Sequence, residues 1–130
     1  LARAETVRVR AGEHAGFSRD GIDGAGNRDW SLQRRGKGYV FRAADRATEY
    51  DLSEVFRYIR RNRIAELGGK GVGLLEIALA CTCHATAFET PSGAVVIDVS
   101  DGTAPAGSPF ELPDEGDVQS GALPATPAPL

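Results

Sequence analysis

Residues 73–85 constrain the fold of this chain more than any other stretch. Apolar side chains fall there at every second position: Leu75, Ile77, Leu79, Cys81 and Cys83. An extended chain places alternate side chains on one face of a sheet, so we expect these side chains to face a core. We therefore predict that this stretch is the central strand of a β fold and that the rest of the chain covers its apolar face.

Other stretches carry strand signals, either alternation or an extended run beside turn-forming glycines. They are residues 6–10, 17–23, 29–33, 38–42, 85–89 and 94–99. With the central strand they give about seven short strands, which is typical of a mainly β, two-sheet β-sandwich or a small open barrel. We expect Asp98, which faces outward from the last strand, to pair with Arg19.

One segment between the predicted strands has the residue spacing of a helix. The apolar residues of this segment follow the three-and-four spacing of a helix face: Leu52, Val55, Phe56 and Ile59. Asp51 or Ser53 can cap the first turn by accepting backbone N–H bonds. We predict one short inserted helix that ends near Asn62.

Arginines on this predicted helix form the candidate binding surface. Arg57, Arg60 and Arg61 lie opposite the apolar positions, and Arg63 follows them. The guanidinium fork matches carboxylates and phosphates, so an anionic glycan peptide, a lipid headgroup or an acidic protein surface fits it. A solvated helix end whose cations suit the helix dipole explains the same residues. Because the domain is not strongly basic, we expect no nucleic-acid partner.

The chain changes composition near its C-terminal end. All fifteen Lys and Arg residues lie at or before Lys70, and six of the seven prolines follow Gly102. Such a Pro/Ala-rich segment buries too little apolar surface to offset its ordering entropy, so we predict that residues 102–130 are a flexible linker or disordered tail. Within it, Pro109, Phe110 and Leu112 form a candidate docking segment that either straps back onto the sandwich or binds elsewhere.

The first residues resemble a processing site. Ala2 and Ala4 match the small-residue pattern after which signal peptidase cuts, which makes residues 1–5 a candidate secretory-signal remnant, although chance gives the same pattern. The sequence has no run of eighteen apolar residues, so it predicts no membrane span.

Two strand signatures resemble a known family. Gly16-Phe17-Ser18-Arg19 leads to Ile22-Asp23, and Val95-Val96-Ile97-Asp98-Val99 closes the fold. Over residues 6–101 the pattern resembles the AMIN domain, a β-sandwich module of bacterial cell-envelope proteins attached to peptidoglycan amidases and secretins. In this chain Asp20-Gly21 stands where the family has an apolar pair, and the predicted helix is an insertion. The resemblance implies a non-catalytic module in the periplasm or another exported site, with cell-wall glycan or an envelope protein as its partner.

The segment from Cys81 to His84 is the candidate chemical motif. In a straight strand the Cys81 and Cys83 Cα atoms are about 6.6 Å apart, so a disulfide between them requires a bend in the chain. Buried thiols and an interchain disulfide are the alternatives. His84 points to the opposite face, and the spacing is one residue short of the haem-attachment motif. We therefore expect no metal, no cofactor and no catalytic thiol.

These patterns predict a binding module rather than an enzyme. We expect an exported module that anchors a parent protein through cell-wall or protein contacts and lies at most peripherally on a membrane. The alternative is a structural subunit of a larger periplasmic or membrane-associated assembly. The sequence does not indicate an oligomeric state.

Overall fold

A computed structural model describes residues 5–26, 29–43, 48–70 and 73–112. The strands are β1 (Glu5–His14), β2 (Phe17–Ile22), β3 (Trp30–Arg35), β4 (Gly38–Ala43), β5 (Thr48–Asp51), β6 (Ile64–Gly69), β7 (Leu74–Leu79), β8 (Cys83–Glu89) and β9 (Val95–Asp101). A helix, α1 (Val55–Tyr58), and a 3₁₀ turn (Pro109–Glu111) complete the described elements. Residues 1–4 of the candidate signal remnant and residues 113–130 of the predicted linker lie outside the described residues.

The strands form two sheets packed face to face. The five-stranded sheet has the order β5-β1-β2-β9-β8, and the four-stranded sheet has the order β3-β4-β7-β6. β1 and β5 run parallel, whereas the other described pairs are antiparallel. The structure confirms the predicted mainly β, two-sheet sandwich.

Two strands, β5 and β6, were not predicted. β5 has four residues, too few to show alternation. β6 contains Glu66 and two glycines, and a register shift between Ile64 and Glu66 breaks its period. Both strands pair at the edges of their sheets, where weak local signals are sufficient because a neighbouring strand supplies the hydrogen bonds.

The core lies between the sheets. The five-stranded sheet contributes Val9, Ile22, Ile97 and Val99, and the four-stranded sheet contributes Phe41, Leu75 and Ile77. All of these side chains are at most 2% exposed. The predictions that Leu75, Ile77 and Cys83 face the core are confirmed.

The predicted central strand is two strands in different sheets. β7 ends at Leu79 in the four-stranded sheet, residues 80–82 bend, and β8 begins at Cys83 in the five-stranded sheet. A disulfide joins Cys81 and Cys83, whose Cα atoms are 5.3 Å apart. The prediction of one strand is therefore wrong beyond Leu79, because alternation continues across a corner that carries the chain between sheets. The bend that an intrachain disulfide requires is present.

The inserted helix is shorter than predicted. α1 ends at Tyr58 because Ile59 is extended, with φ −129° and ψ 158°. Asp51 Oδ1 accepts the Ser53 N–H at 3.0 Å, which forms a turn before the helix, and no side chain caps α1. Val55 and Ile59 are both buried. The apolar spacing therefore corresponds to a single helical turn and not to a helix that extends to Asn62. Neither described helix has the length and apolar character needed to cross a membrane.

Residues 103–112, which we call the strap, pack back onto the sandwich. Phe110 contacts the core, and Glu111 Oε1 accepts a bond from Arg34 Nε at 2.6 Å. The buried Tyr39 hydroxyl donates to Glu111 Oε2. Residues 103–112 are therefore not a free linker, and the predicted alternative, in which this segment straps back onto the sandwich, is the one observed. One aromatic side chain and one bonded carboxylate hold a segment whose average composition is that of a linker.

Candidate functional site

The outward side of the five-stranded sheet presents an ordered grid of side chains. Alternation along β1, β2, β9 and β8 places every second residue on this outward side, and the pairing register aligns these residues in rows across the sheet. The rows are Arg10, Gly21, Val96 and Phe88; Gly12, Arg19, Asp98 and Thr86; and His14, Phe17, Ser100 and His84. We call these residues the outer face.

Arg19 and Asp98 occupy the centre of the outer face. Arg19 donates from Nε to Asp98 Oδ1 at 2.7 Å and from Nη2 to Oδ2 at 2.8 Å. This confirms the predicted pair, and the hydrogen-bonded carboxylate raises the pKa of the Arg19 guanidinium. The guanidinium carbon also lies 5.3 Å from the Phe17 ring centroid and 5.5 Å from that of Phe88. A planar cation is thus fixed between two phenyl rings.

Stacking and a second ion pair order the rest of the face. The His14 and Phe17 rings are nearly parallel, with centroids 4.6 Å apart. Arg10 Nη2 donates to Asp23 Oδ1 at 2.8 Å. Each cation therefore has a carboxylate partner, and this part of the surface is close to electrically neutral.

Two glycines leave room between these groups. Gly12 pairs with Arg19, and Gly21 pairs with Arg10, so glycine and arginine alternate across the two strands. A Cβ atom built on Gly21 would meet no atom within 4 Å. The resulting hollow has a volume of about 340 Å³ and is bordered by Arg10, His14, Arg19, Asp23, Ser92 and Val96. We call it the glycine depression, and its size lies near the lower end of the range for small-ligand sites.

The outer face provides binding groups in a fixed geometry. A guanidinium carries five N–H donors, and Arg19 uses two N–H groups in its two bonds to Asp98. Carboxylate lone pairs on Asp23 and Asp98 supply acceptors, and the aromatic rings supply flat apolar surface. Such a surface suits a ligand that has hydroxyl or amide groups beside an apolar face.

The predicted arginine surface contains three exposed members. Arg57 lies 3.5 Å from Glu54, and its side chain is 69% exposed. The Arg61 guanidinium lies 3.8 Å over the Phe56 ring centroid. Arg60 is exposed beside them. These three remain a surface group near the end of α1.

Arg63 has a different place. Its side chain is only 11% exposed. Two bonds of 2.7 and 3.1 Å join it to Asp101, and Nη1 donates to Glu13 Oε2 at 3.1 Å. It therefore ties β1 and β9 to the start of β6 instead of joining the other three arginines.

The tail residues predicted to dock lie in the strap. Pro109 starts the 3₁₀ turn, Phe110 packs against the core, and Leu112 is 45% exposed. Sequence reasoning selected the apolar residues and missed Glu111, whose bonds to Arg34 and Tyr39 hold the strap. A charged residue in a Pro-rich segment gives no local signal of such a partner.

The cysteine motif forms a disulfide. Cys81 Sγ, Cys83 Sγ and an Asp101 oxygen lie within 4.8 Å of one another, an arrangement that resembles three metal ligands. Because the two sulfurs are bonded to each other, neither is a thiolate that could bind a metal. His84 Nδ1 lies 2.9 Å from the Gly102 carbonyl oxygen, away from both sulfurs.

Asp20 is buried on the inner face of β2. It is 2% exposed, and within the described part of the chain neither carboxylate oxygen has a hydrogen-bond partner. Burial, with a smaller contribution from the charge of Asp98, raises the pKa of Asp20 from 3.8 to about 7. Asp20 is thus an acid within the core.

Comparison with protein-family models, curated proteins and solved structures finds no match to this chain. The glycine depression was not predicted, although Arg8-x-Arg10-x-Gly12 and Arg19-x-Gly21-x-Asp23 carry its signal as alternating charged and glycine residues.

Proposed function

We propose that this chain is a non-catalytic module of the bacterial cell envelope that anchors a parent protein by binding cell-wall glycan through the outer face. The observation that carries the proposal is the bidentate Arg19–Asp98 pair, fixed between Phe17 and Phe88 beside the glycine depression. A surface whose polar and aromatic groups are already fixed loses little side-chain entropy on binding.

Charge favours a glycan over an anionic ligand on this face. Arg10 is paired with Asp23, and Arg19 is paired with Asp98. An anion would have to compete with a carboxylate already in place, whereas hydroxyl and amide groups can use the remaining donors and lone pairs. The faces of the aromatic rings complement the apolar face of a sugar ring.

Two observations support the proposed compartment, the disulfide and the family resemblance. Disulfides such as Cys81–Cys83 persist mainly in oxidising compartments, including the bacterial periplasm. The AMIN resemblance of residues 6–101 implies the same location. Both support an exported protein.

The test is retention of the purified protein on insoluble peptidoglycan sacculi, with Gly21→Val as the variant. Valine places side-chain atoms in the glycine depression, where a Cβ on Gly21 meets nothing within 4 Å. It is also a favourable residue in a strand. Gly68→Val is the matched control, because Gly68 has equal space for a Cβ and lies on β6 in the other sheet.

We expect the native chain and Gly68→Val to be retained equally, and Gly21→Val to lose at least about tenfold in affinity, which corresponds to about 1.4 kcal/mol. Soluble glycan strands freed of peptide should compete, and free stem peptides should not. Absence of retention of the native chain would contradict the proposed function. Self-association without retention would favour the structural-subunit alternative.

A further inference from the structure

We propose that the Cys81–Cys83 disulfide is a thiol–disulfide exchange site at which the thiolate of a peptide dithiol attacks Cys81 Sγ. This role is independent of glycan binding, because the disulfide lies at the corner between β7 and β8 and not on the outer face.

Access differs between the two sulfurs. Both cysteines line an open cleft of about 990 Å³, but Cys83 is only 3% exposed, whereas Cys81 is half-buried. We call this the corner cleft, and it lies between the disulfide, the β3–β4 turn and the strap. Its volume is near the upper end of the range for ligand sites, so it can admit a peptide side chain. Exposed disulfides are the ones that exchange readily.

After reduction, the Cys81 thiol has a hydrogen-bond acceptor within reach. Cys81 Sγ lies 3.8 Å from the Arg63 carbonyl oxygen, within reach of a bond from a thiol S–H. The backbone on both sides of the corner is held independently of the disulfide: Ala80 N–H donates to Arg63 O at 2.8 Å, and Gly102 N–H donates to Thr82 O at 2.9 Å. Reduction therefore leaves the corner tethered.

The charged groups near the corner do not repel a partner thiolate that approaches the disulfide. Arg34 and Lys37 line the corner cleft, and Glu111 is already bonded to Arg34. Asp101 is the carboxylate closest to the sulfurs, and Arg63 neutralises it through two hydrogen bonds. A thiolate entering past Lys37 thus meets no uncompensated negative charge among these groups.

The exchange needs no oxidant or reductant other than the disulfide and the partner dithiol. A partner thiolate forms a bond to Cys81 Sγ, the Cys81–Cys83 bond breaks, and Cys83 leaves as a thiolate that takes a proton from water. The second partner thiolate then attacks the partner sulfur of the mixed disulfide and releases Cys81. The partner dithiol is oxidised by two electrons to a disulfide, and the Cys81–Cys83 disulfide is reduced to two thiols.

Reduced glutathione is the probe for the native chain. The rate at which glutathione reduces the disulfide is measured by thiol alkylation and intact mass spectrometry. The measurement is repeated at several low, non-denaturing urea concentrations. Attack on the folded state predicts a rate that does not change with urea, because no unfolding is required. A rate that rises steeply with urea would show that reduction needs unfolding, and would overturn the proposal.

Single-cysteine variants test the direction of attack. With oxidised glutathione, Cys83→Ser should form a mixed disulfide at Cys81 at least about tenfold faster than Cys81→Ser forms one at the buried Cys83, since thiol reactivity follows exposure. Equal rates in folded variants would contradict the assignment of Cys81. If either variant fails to fold, the urea series on the native chain still decides the proposal.

Discussion

Arg34 Nε donates to Glu111 Oε1 at 2.6 Å and thereby joins edge strand β3 to a carboxylate 77 residues later in the chain. The same guanidinium donates from Nη2 to the Cys83 carbonyl oxygen at 3.2 Å, on the edge strand of the other sheet. At the opposite end of these strands, Trp30 Nε1 donates to Glu89 Oε2 at 2.6 Å. The strap therefore reinforces the side of the sandwich where the two sheets meet at β3 and β8.

Truncation after Gly102 should destabilise the fold by about 2 kcal/mol, because Phe110 loses its apolar contacts and the Tyr39 hydroxyl and Arg34 lose a partner. For a domain of this size, each kcal/mol lowers Tm by roughly 4–8 °C. Thermal melts of this variant and of a second chain truncated after Leu112, which keeps every described strap contact, measure the difference. Equal Tm values for the two truncations would show that the strap contributes no stability.

Asp20 should make stability fall as pH rises. Its pKa is raised from 3.8 to about 7 in the folded chain, so between these values the folded state holds a proton that the unfolded state has released. The free energy of unfolding should then decrease by about 3 kcal/mol between about pH 5 and 8 and change little above that range. Urea unfolding at several pH values measures this slope.

The control for this slope is Asp20→Asn, which has a similar shape and no ionisation. Its unfolding free energy should be nearly constant over the same pH range, so that its stability relative to the native chain increases with pH. Parallel profiles for the two proteins would mean that another group causes the pH dependence.

Arg19→Lys should reduce retention on sacculi by at least about tenfold, because an ammonium cannot reproduce the fork that joins Asp98 and lies between the phenyl rings. The triple replacement of Arg57, Arg60 and Arg61 by Ala should leave retention unchanged, since these side chains lie at the end of α1 and not on the outer face. If the triple variant alone lost retention, the binding site would lie at Arg57, Arg60 and Arg61 and not on the outer face.

Sequence reasoning located β9 from its alternating apolar residues. β9 buries Val95, Ile97 and Val99 on one face and presents Asp98 on the other, so both its burial and the Arg19–Asp98 pair were predictable. Local alternation contains this information because one face of the sheet meets the core.

The predictions that failed depend on contacts distant in sequence. Alternation from Leu75 to Cys83 is continuous, and only the change of sheet at residues 80–82 shows that two strands share it. In the same way, the glycine depression exists because register places Gly12 beside Arg19 and Gly21 beside Arg10. No local pattern fixes the register between strands that are joined by turns of unknown geometry.

The position of β9 has a consequence for biosynthesis. β9 lies between β2 and β8 and pairs with both, although it is the last strand of the described chain. A nascent chain that has not yet reached Asp101 therefore has β1 and β2 without the neighbour that completes their sheet. We expect this sheet to stay incomplete, with the edge of β2 unpaired, until the last described strand has been synthesised, because non-local strand pairing cannot form before its partner exists.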